Sequence, residues 1–251
     1  MRNTLSSESI APWYGYSGVK FEGNEPFFFD EKDFTWVSRI EEQWLVIRNE
    51  LEILLKEHGD SLMPYPNGSL SSTPDSWKTI GFYFWNKKFR KNCEKCPGIA
   101  ALMESIPNMV SGSLSVLEPN SKINPHTGET NAIVRCHLGL VVPSGLPDCG
   151  IKVGTEERGW EEGKLLMFCD AHMHEAWNNT PHRRFVFIID VIRPQYVSQI
   201  NKICSDMLAS IVITIVYFRL KFLSYLPFPI ARLISKVIHK MAKIFLPFWR
   251  P

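Results

Sequence analysis

Residues 125–131 read PHTGETN. A histidine with a carboxylate two places on and a second histidine far downstream is a common way to hold a non-haem ferrous ion. Here His126 is followed two places on by Gly128. The stretch is therefore a damaged metal site, no metal site, or a site that works with one protein ligand missing.

Two further stretches carry residue types suited to the same chemistry. In NAIVRCHLGLVV, 131–142, strand alternation puts Ala132, Val134, Cys136, Leu138 and Leu140 on one face. Ile133, Arg135, His137 and Val141 fall on the other. A cation beside an imidazole in an otherwise apolar strand is costly unless the pair meets an anion. The alternative is a rim ion pair on a solvent-facing side of a sheet. In CDAHMHEAWNN, 169–179, His172 and His174 stand two apart, and ten residues beyond His174 Arg184 opens RFVFIIDVI. A histidine followed by an arginine at the head of the next strand suits a metal with an anionic ligand held nearby.

The blocks PHTGETNAIVRCHLGLVVPSG, GWEEGKLLMFCDAHMHEAWN and RRFVFIIDVIRP, in this order and spacing, closely resemble the aspartyl/asparaginyl β-hydroxylase family. Its members are iron(II)- and 2-oxoglutarate-dependent dioxygenases built on a double-stranded β-helix, a jelly-roll barrel. The resemblance covers about residues 77–196 and continues more weakly over the N-terminal helix. It implies that His126 and His174 hold iron, and that Arg135 and His137 take the 1-carboxylate end of 2-oxoglutarate. Arg184 would take the far carboxylate, helped by the Ser115 hydroxyl. His172 and His182 match no ligand and read as structural or solvent-exposed.

The resemblance also implies that the third, carboxylate ligand is absent as a rule, so Gly128 fits the pattern. Two histidines and a bidentate co-substrate then leave room for water and O2. Asp170, four residues before His174, reads either as a group hydrogen-bonded to such a water or as a turn residue. The implied reaction hydroxylates an unactivated carbon while 2-oxoglutarate becomes succinate and carbon dioxide. The implied substrate is the β-carbon of an aspartyl or asparaginyl residue, or of a related amino acid. The alternative is the acyl chain of lipid A, as in a membrane-bound branch of these enzymes. A halogenase, with chloride beside Gly128, and a non-catalytic jelly-roll binding module fit the neighbouring blocks and the intact His126, His174, Arg135 and Arg184 less well.

The elements that must position these residues are legible in outline. At 251 residues, with 45% hydrophobic and 22% charged content, the chain can bury one substantial core. Apolar residues at Trp36, Ile40, Trp44, Ile47, Leu51, Leu54 and Leu55 predict one long amphipathic helix over 31–58, ending near Gly59. PYPNGSLSSTPDS, 64–76, predicts a surface loop, 77–86 a strand, and Pro97 the start of a short helix ending before Pro107. From Ser111 to Pro194 short β-like runs (GSLSVLE, NAIVRCHLGLVV, CGIKV, KLLMFC, RFVFIIDVI) alternate with turn residues, which predicts a mainly β fold of jelly-roll type. The division expected is N-terminal helical support over 1–76, the β-helix domain over 77–200 and a helical tail over 205–251.

The tail has its own character. From Met207 to Pro251 there are seven basic residues and no acidic one, which leaves 21 basic against 26 acidic in the rest of the chain. MLASIVITIVYF, 207–218, is uncharged but too short by itself to span a bilayer. After Pro229, apolar residues at 230, 233, 234, 237, 238, 241, 244 and 245 oppose Arg232, Lys236, Lys240 and Lys243. This pattern predicts a basic amphipathic helix, packed either on the chain's own core or on a membrane surface, and the terminal aromatic residues favour the membrane. The N-terminus has no apolar run of signal-peptide length, and the lone CxxC of Cys93 and Cys96 reads as reduced thiols. The expected setting is cytoplasmic and on a membrane, with a peptide or lipid as partner and no nucleic acid.

Overall fold

The structure, a computed structural model, describes residues 11–57 and 62–245. His58, the expected helix end near Gly59 and the terminal Phe248, Trp249 and Arg250 lie outside the described residues. Among the described residues eleven strands form two antiparallel sheets. The larger contains β1 (Met63–Pro64), β2 (Trp77–Phe84), β4 (Met109–Leu117), β11 (Arg184–Ile192), β6 (Ile133–Val141) and β9 (Leu165–Phe168) in that spatial order, with β3 (Lys87–Lys88) paired to β2. The smaller runs β5 (Ser121–His126), β10 (His174–Asn178), β7 (Cys149–Val153) and β8 (Glu156–Arg158). Because strands distant in sequence pair in both sheets, β4 and β6 with β11 and β5 and β7 with β10, the two sheets wind together as a double-stranded β-helix with a jelly-roll order.

Alternation along β6 divides the molecule as the sequence predicts. Val134, Cys136, Leu138 and Leu140 enter a core between the larger sheet and the N-terminal helices. That core also takes Ile40, Ile47 and Leu51 from one side and Leu114, Phe187 and Ile189 from the other. Each such side chain contributes about 1.5–3 kcal/mol on burial. The opposite face of the sheet looks into the barrel, where Trp77, Leu117, Ile151, Val153, Trp160, Phe168 and Val186 form a second core.

The N-terminal helix differs from the expectation. It is two helices, α1 (Val37–Glu42) and α2 (Trp44–Glu57), broken at Gln43. The break turns Glu41 toward the edge of the sheet, where it accepts the Leu165 amide at 2.9 Å and pairs with Lys164. An exposed strand edge is thereby blunted. Farther along α2, the Glu50 carboxylate accepts the amides of Gly98 and Ile99, both at 2.7 Å. It thus satisfies the N-terminus of α4 (Pro97–Glu104), which follows α3 (Arg90–Lys95). The expected surface loop is also engaged: Ser72 donates its amide to Lys122 and its hydroxyl accepts the Lys122 amide, covering the free edge of β5. All six cysteines are buried free thiols. After the barrel the described residues form a helical hairpin, α5 (Ile200–Arg219) and α6 (Phe228–Phe245).

Candidate active site

His126 ends β5 and His174 opens β10, and the strand register sets them directly opposite each other. Their ring centroids are 4.2 Å apart. Neither strand is evident in the sequence, because β5 holds Pro125 and both are short. Proline is tolerated here because β5 is an edge strand. The register slips by one between His174 and Ala176, a bulge of the kind that re-aims a side chain beside an active site.

Each ring is oriented by a backbone carbonyl two residues earlier. Asn124 O lies 2.8 Å from His126 Nδ1, and His172 O lies 2.9 Å from His174 Nδ1. A carbonyl only accepts, so the proton sits on Nδ1 and the Nε2 lone pair is left as a ligand. Burial lowers both pKa values, that of His174 far below the usual range with His126 adding to the effect. Both rings are therefore neutral at neutral pH, as metal ligation requires.

Contacts run from this pair around the barrel interior. Phe168 meets the rings of both His174 and His137, at 5.6 and 4.9 Å. His137 stacks with Trp160 at 6.1 Å, and the Arg184 guanidinium lies over Trp160 at 4.7 Å. On the other side His126 faces Trp77 at 6.1 Å, and Trp77 Nε1 donates to Ser115 Oγ at 3.0 Å. The expected residues His126, His174, His137, Arg184 and Ser115 are thus brought together, joined by aromatic residues that the sequence did not single out.

Arg184 is the least conventional of them. It is 1% exposed, and its Nε and Nη2 have no hydrogen-bond partner. Burial pushes its pKa down to about 10, so it remains a cation at neutral pH. Both ring nitrogens of His137 are likewise buried and unmet. Buried donors of this kind cost about 1–3 kcal/mol each, more when charged, unless a partner arrives. The unmet Arg184 donors suit an anion with oxygen acceptors.

Arg135, expected with His137 at the 1-carboxylate end of 2-oxoglutarate, is already paired within the protein. Its Nε and Nη2 donate to the two Asp190 oxygens at 2.8 and 3.0 Å, and its Nη1 lies 2.8 Å from Asp170 Oδ2. The register Asp190↔Arg135 on adjacent strands makes the first pair. The anion that this strand cation requires is therefore supplied chiefly by the protein.

Asp170 is more than a turn residue. It is 1% exposed, and burial raises its pKa to about 6 against the lowering effect of Arg135. Its side chain fills the space beside Gly128: a Cβ at 128 would come within 2.1 Å of Asp170 Oδ2. The Gly128 amide also donates to Asp170 O at 2.6 Å. Glycine is required at 128 because a carboxylate from the turn between β9 and β10 already stands there. Gly128→Ala is expected to lower stability by about 1–3 kcal/mol, read as a drop in the urea midpoint. Asp170→Ala in the same chain should recover part of that loss, and a neutral Gly128→Ala would show that the two segments can move apart.

His172 is structural, with Nε2 on Glu25 O at 2.8 Å and its ring edge-on to Phe21 and Phe27. His182 is exposed and engaged through its backbone: its carbonyl accepts from Asn178 and the Thr180 hydroxyl, and its amide donates to Thr180 Oγ1. Among the described residues no three His, Cys, Asp or Glu side chains converge as a metal cage. The protein therefore offers a metal two nitrogens, with the Asp170 carboxylate near by.

Residues 41–194 match the family described as Aspartyl/Asparaginyl beta-hydroxylase. The ornithine lipid ester-linked acyl 2-hydroxylase of Rhizobium tropici is 34% identical over 74% of this chain and 68% of its own length. The aspartyl/asparaginyl beta-hydroxylase of Homo sapiens is 32% identical over 65% of this chain but only 22% of its own. Human aspartate beta-hydroxylase domain-containing protein 2 is 35% identical over 67% of this chain and 47% of its own length. A crystal structure of a Pseudomonas putida prolyl-4-hydroxylase overlays with a TM-score of 0.42 at 13% identity, over 59% of this chain and 86% of that one. The chain belongs to the aspartyl/asparaginyl β-hydroxylase family.

Proposed function

We propose that the chain is an iron(II)- and 2-oxoglutarate-dependent dioxygenase that hydroxylates an aliphatic carbon. The observation that carries this reading is the buried Arg184 guanidinium, its Nε and Nη2 without a hydrogen-bond partner, in one interior with His137 and the Nε2 atoms of His126 and His174. The two histidines fit a ferrous ion, which when bound with the keto-acid would activate O2 for attack on a C–H bond. Arg184, steadied by Trp160, would grip the far carboxylate through two parallel hydrogen bonds, with Ser115 near by. His137 would donate to the keto-acid end, and Arg135, held by Asp190 and Asp170, would set the local charge. Asp170 stands where a ligand at position 128 would be and can accept from a metal-bound water. A carboxylate in that place repels chloride, which argues against a halogenase.

For the prime substrate, the acyl chain of a membrane lipid has the broader support. The relative named for an ornithine lipid acyl chain shares more of both chains than the peptidyl relatives do. The β-carbon of aspartyl or asparaginyl residues is the second reading, favoured by the family and by several relatives named for it. Purified protein with iron(II) and 2-oxoglutarate, given ornithine-lipid extracts or aspartyl and asparaginyl peptides, decides between them by mass spectrometry. One added oxygen on a lipid acyl chain, with matching succinate, is expected. Oxygen on the peptide would reverse the order, and no succinate with either would overturn the enzyme reading.

A further inference from the structure

The C-terminal hairpin leaves a surface without a partner. Helix α6 lies against α5 with Ala242 buried and Ile234 and Ile238 half-buried, and Tyr217 Oη meets Ala231 O and Ser235 Oγ, both at 3.0 Å. The rest of its apolar face, Ile230, Leu233, Val237, Met241 and Ile244, is turned to solvent, Leu233 at 63% and Val237 at 54% exposure. Phe222 and Tyr225 are exposed at the tip between the helices. Solvent-exposed apolar residues at this spacing form a continuous stripe, which a monomeric protein rarely leaves bare. Beside it Lys236 and Lys240 are exposed, as are Arg219 and Lys221 at the tip. No acidic residue occurs after Asp206. The stripe borders an open, apolar cleft of about 600 Å³ between the two helices, where Val237, Met241 and Phe245 meet Leu208, Ile211 and Phe84.

We infer that this hairpin docks on the surface of an anionic lipid bilayer, its apolar stripe in the acyl region and its lysines among the headgroups. An apolar stripe flanked only by cations is the composition that such an interface selects, since acidic residues would be repelled. The hairpin lies on the membrane and does not cross it. Pro194–Tyr217 is long and apolar enough to span, but Ile203, Cys204, Met207 and Leu208 are packed with Trp85, Val110, Ile133 and Ile192 of the barrel. What remains of α5 falls well short of the roughly 20 residues a span needs. One cation of the expected basic face is diverted: Lys243, with Lys202 and His239, pairs with Asp206, because a buried carboxylate needs countercharge.

The docking surface is tied to the metal loop. The segment around Tyr14 gives the Gly15 amide to Glu129 O at 2.8 Å and takes the Thr130 hydroxyl on Trp13 O at 2.7 Å. The same segment meets the hairpin through Tyr16 against His239 and Lys202 over Tyr14. One strap therefore bridges the loop of His126 and the membrane-facing helices.

Sedimentation of the full chain with vesicles of phosphatidylcholine, with and without phosphatidylglycerol, tests this without any turnover, so it fails or succeeds separately from the iron-site reading. Preferential binding to the anionic vesicles is expected. Lys236→Glu with Lys240→Glu, both on exposed positions, should lower it about 30-fold or more with an unchanged melting temperature. Leu233→Ser with Val237→Ser should weaken it on both vesicle types, and alkaline carbonate should release the bound chain. Equal binding by the charge-reversed variant, retention in alkali, or a stable dimer abolished by the serine pair would each overturn the proposal.

Discussion

In a His174→Ala protein, succinate formation falls to the rate of 2-oxoglutarate with free iron, and iron(II) affinity drops by more than about 100-fold. Groups that merely orient a metal ligand are worth about 10–100-fold, so removing a ligand from a site with only two protein nitrogens must cost more. The paired strands make the effect sharp. His126 and His174 sit at one register position, 4.2 Å between ring centroids, and no other described His, Cys, Asp or Glu joins them as a third member of a cage. The fold is expected to survive, because the His174 side chain makes one hydrogen bond, to His172 O, while strand pairing is carried by the backbone. His172→Ala is the matched control two residues away. Its ring holds Glu25 O and packs on Phe21 and Phe27, so that variant should lose stability and keep its iron. Unchanged turnover in His174→Ala, measured as succinate per protein, would refute the site.

How far the sequence reached can be traced through single residues. The alternation in 131–142 placed Val134, Cys136, Leu138 and Leu140 on a core face because a long, strictly alternating strand has only two sides. Short strands carry too few residues for that signal, so β5 and β10 were not legible as strands, and their two histidines stood out only through the resemblance of the ordered blocks. The partners of Arg135 were hidden for a different reason. Asp190 is 55 residues away and is joined by register across two strands, and Asp170 arrives from a loop that approaches a glycine. No local periodicity encodes a close approach between distant segments. In the tail the spacing gave the amphipathic helix, but it could not say which half of the apolar face α5 would cover, nor that Asp206 would claim Lys243.

Arg184→Met should leave a folded protein that no longer holds 2-oxoglutarate. Truncating one member of a buried charge pair costs about 2–5 kcal/mol, which is roughly 30-fold to a few thousand-fold in dissociation constant. The increase should appear in the KM for 2-oxoglutarate far more than in the rate at saturation, because the arginine acts on bound co-substrate throughout the reaction and not on the reacting carbon. Stability moves the other way. In the unliganded protein the guanidinium is buried with Nε and Nη2 unmet, so an apolar side chain of similar length removes a desolvation cost. The variant alone should therefore melt at or above the temperature of the parent. The parent should gain about 2.7 kcal/mol at 100 times its dissociation constant for 2-oxoglutarate, and the variant should gain almost nothing. Arg184→Lys should recover only part of the affinity, because it keeps the charge and loses the planar fork. A structural arginine would give the opposite pattern, with lost stability and an intact response to 2-oxoglutarate. That combination would move the anion site away from Arg184 and leave His137 and Trp160, which among the described residues also have buried, unmet nitrogens, to be tested in its place.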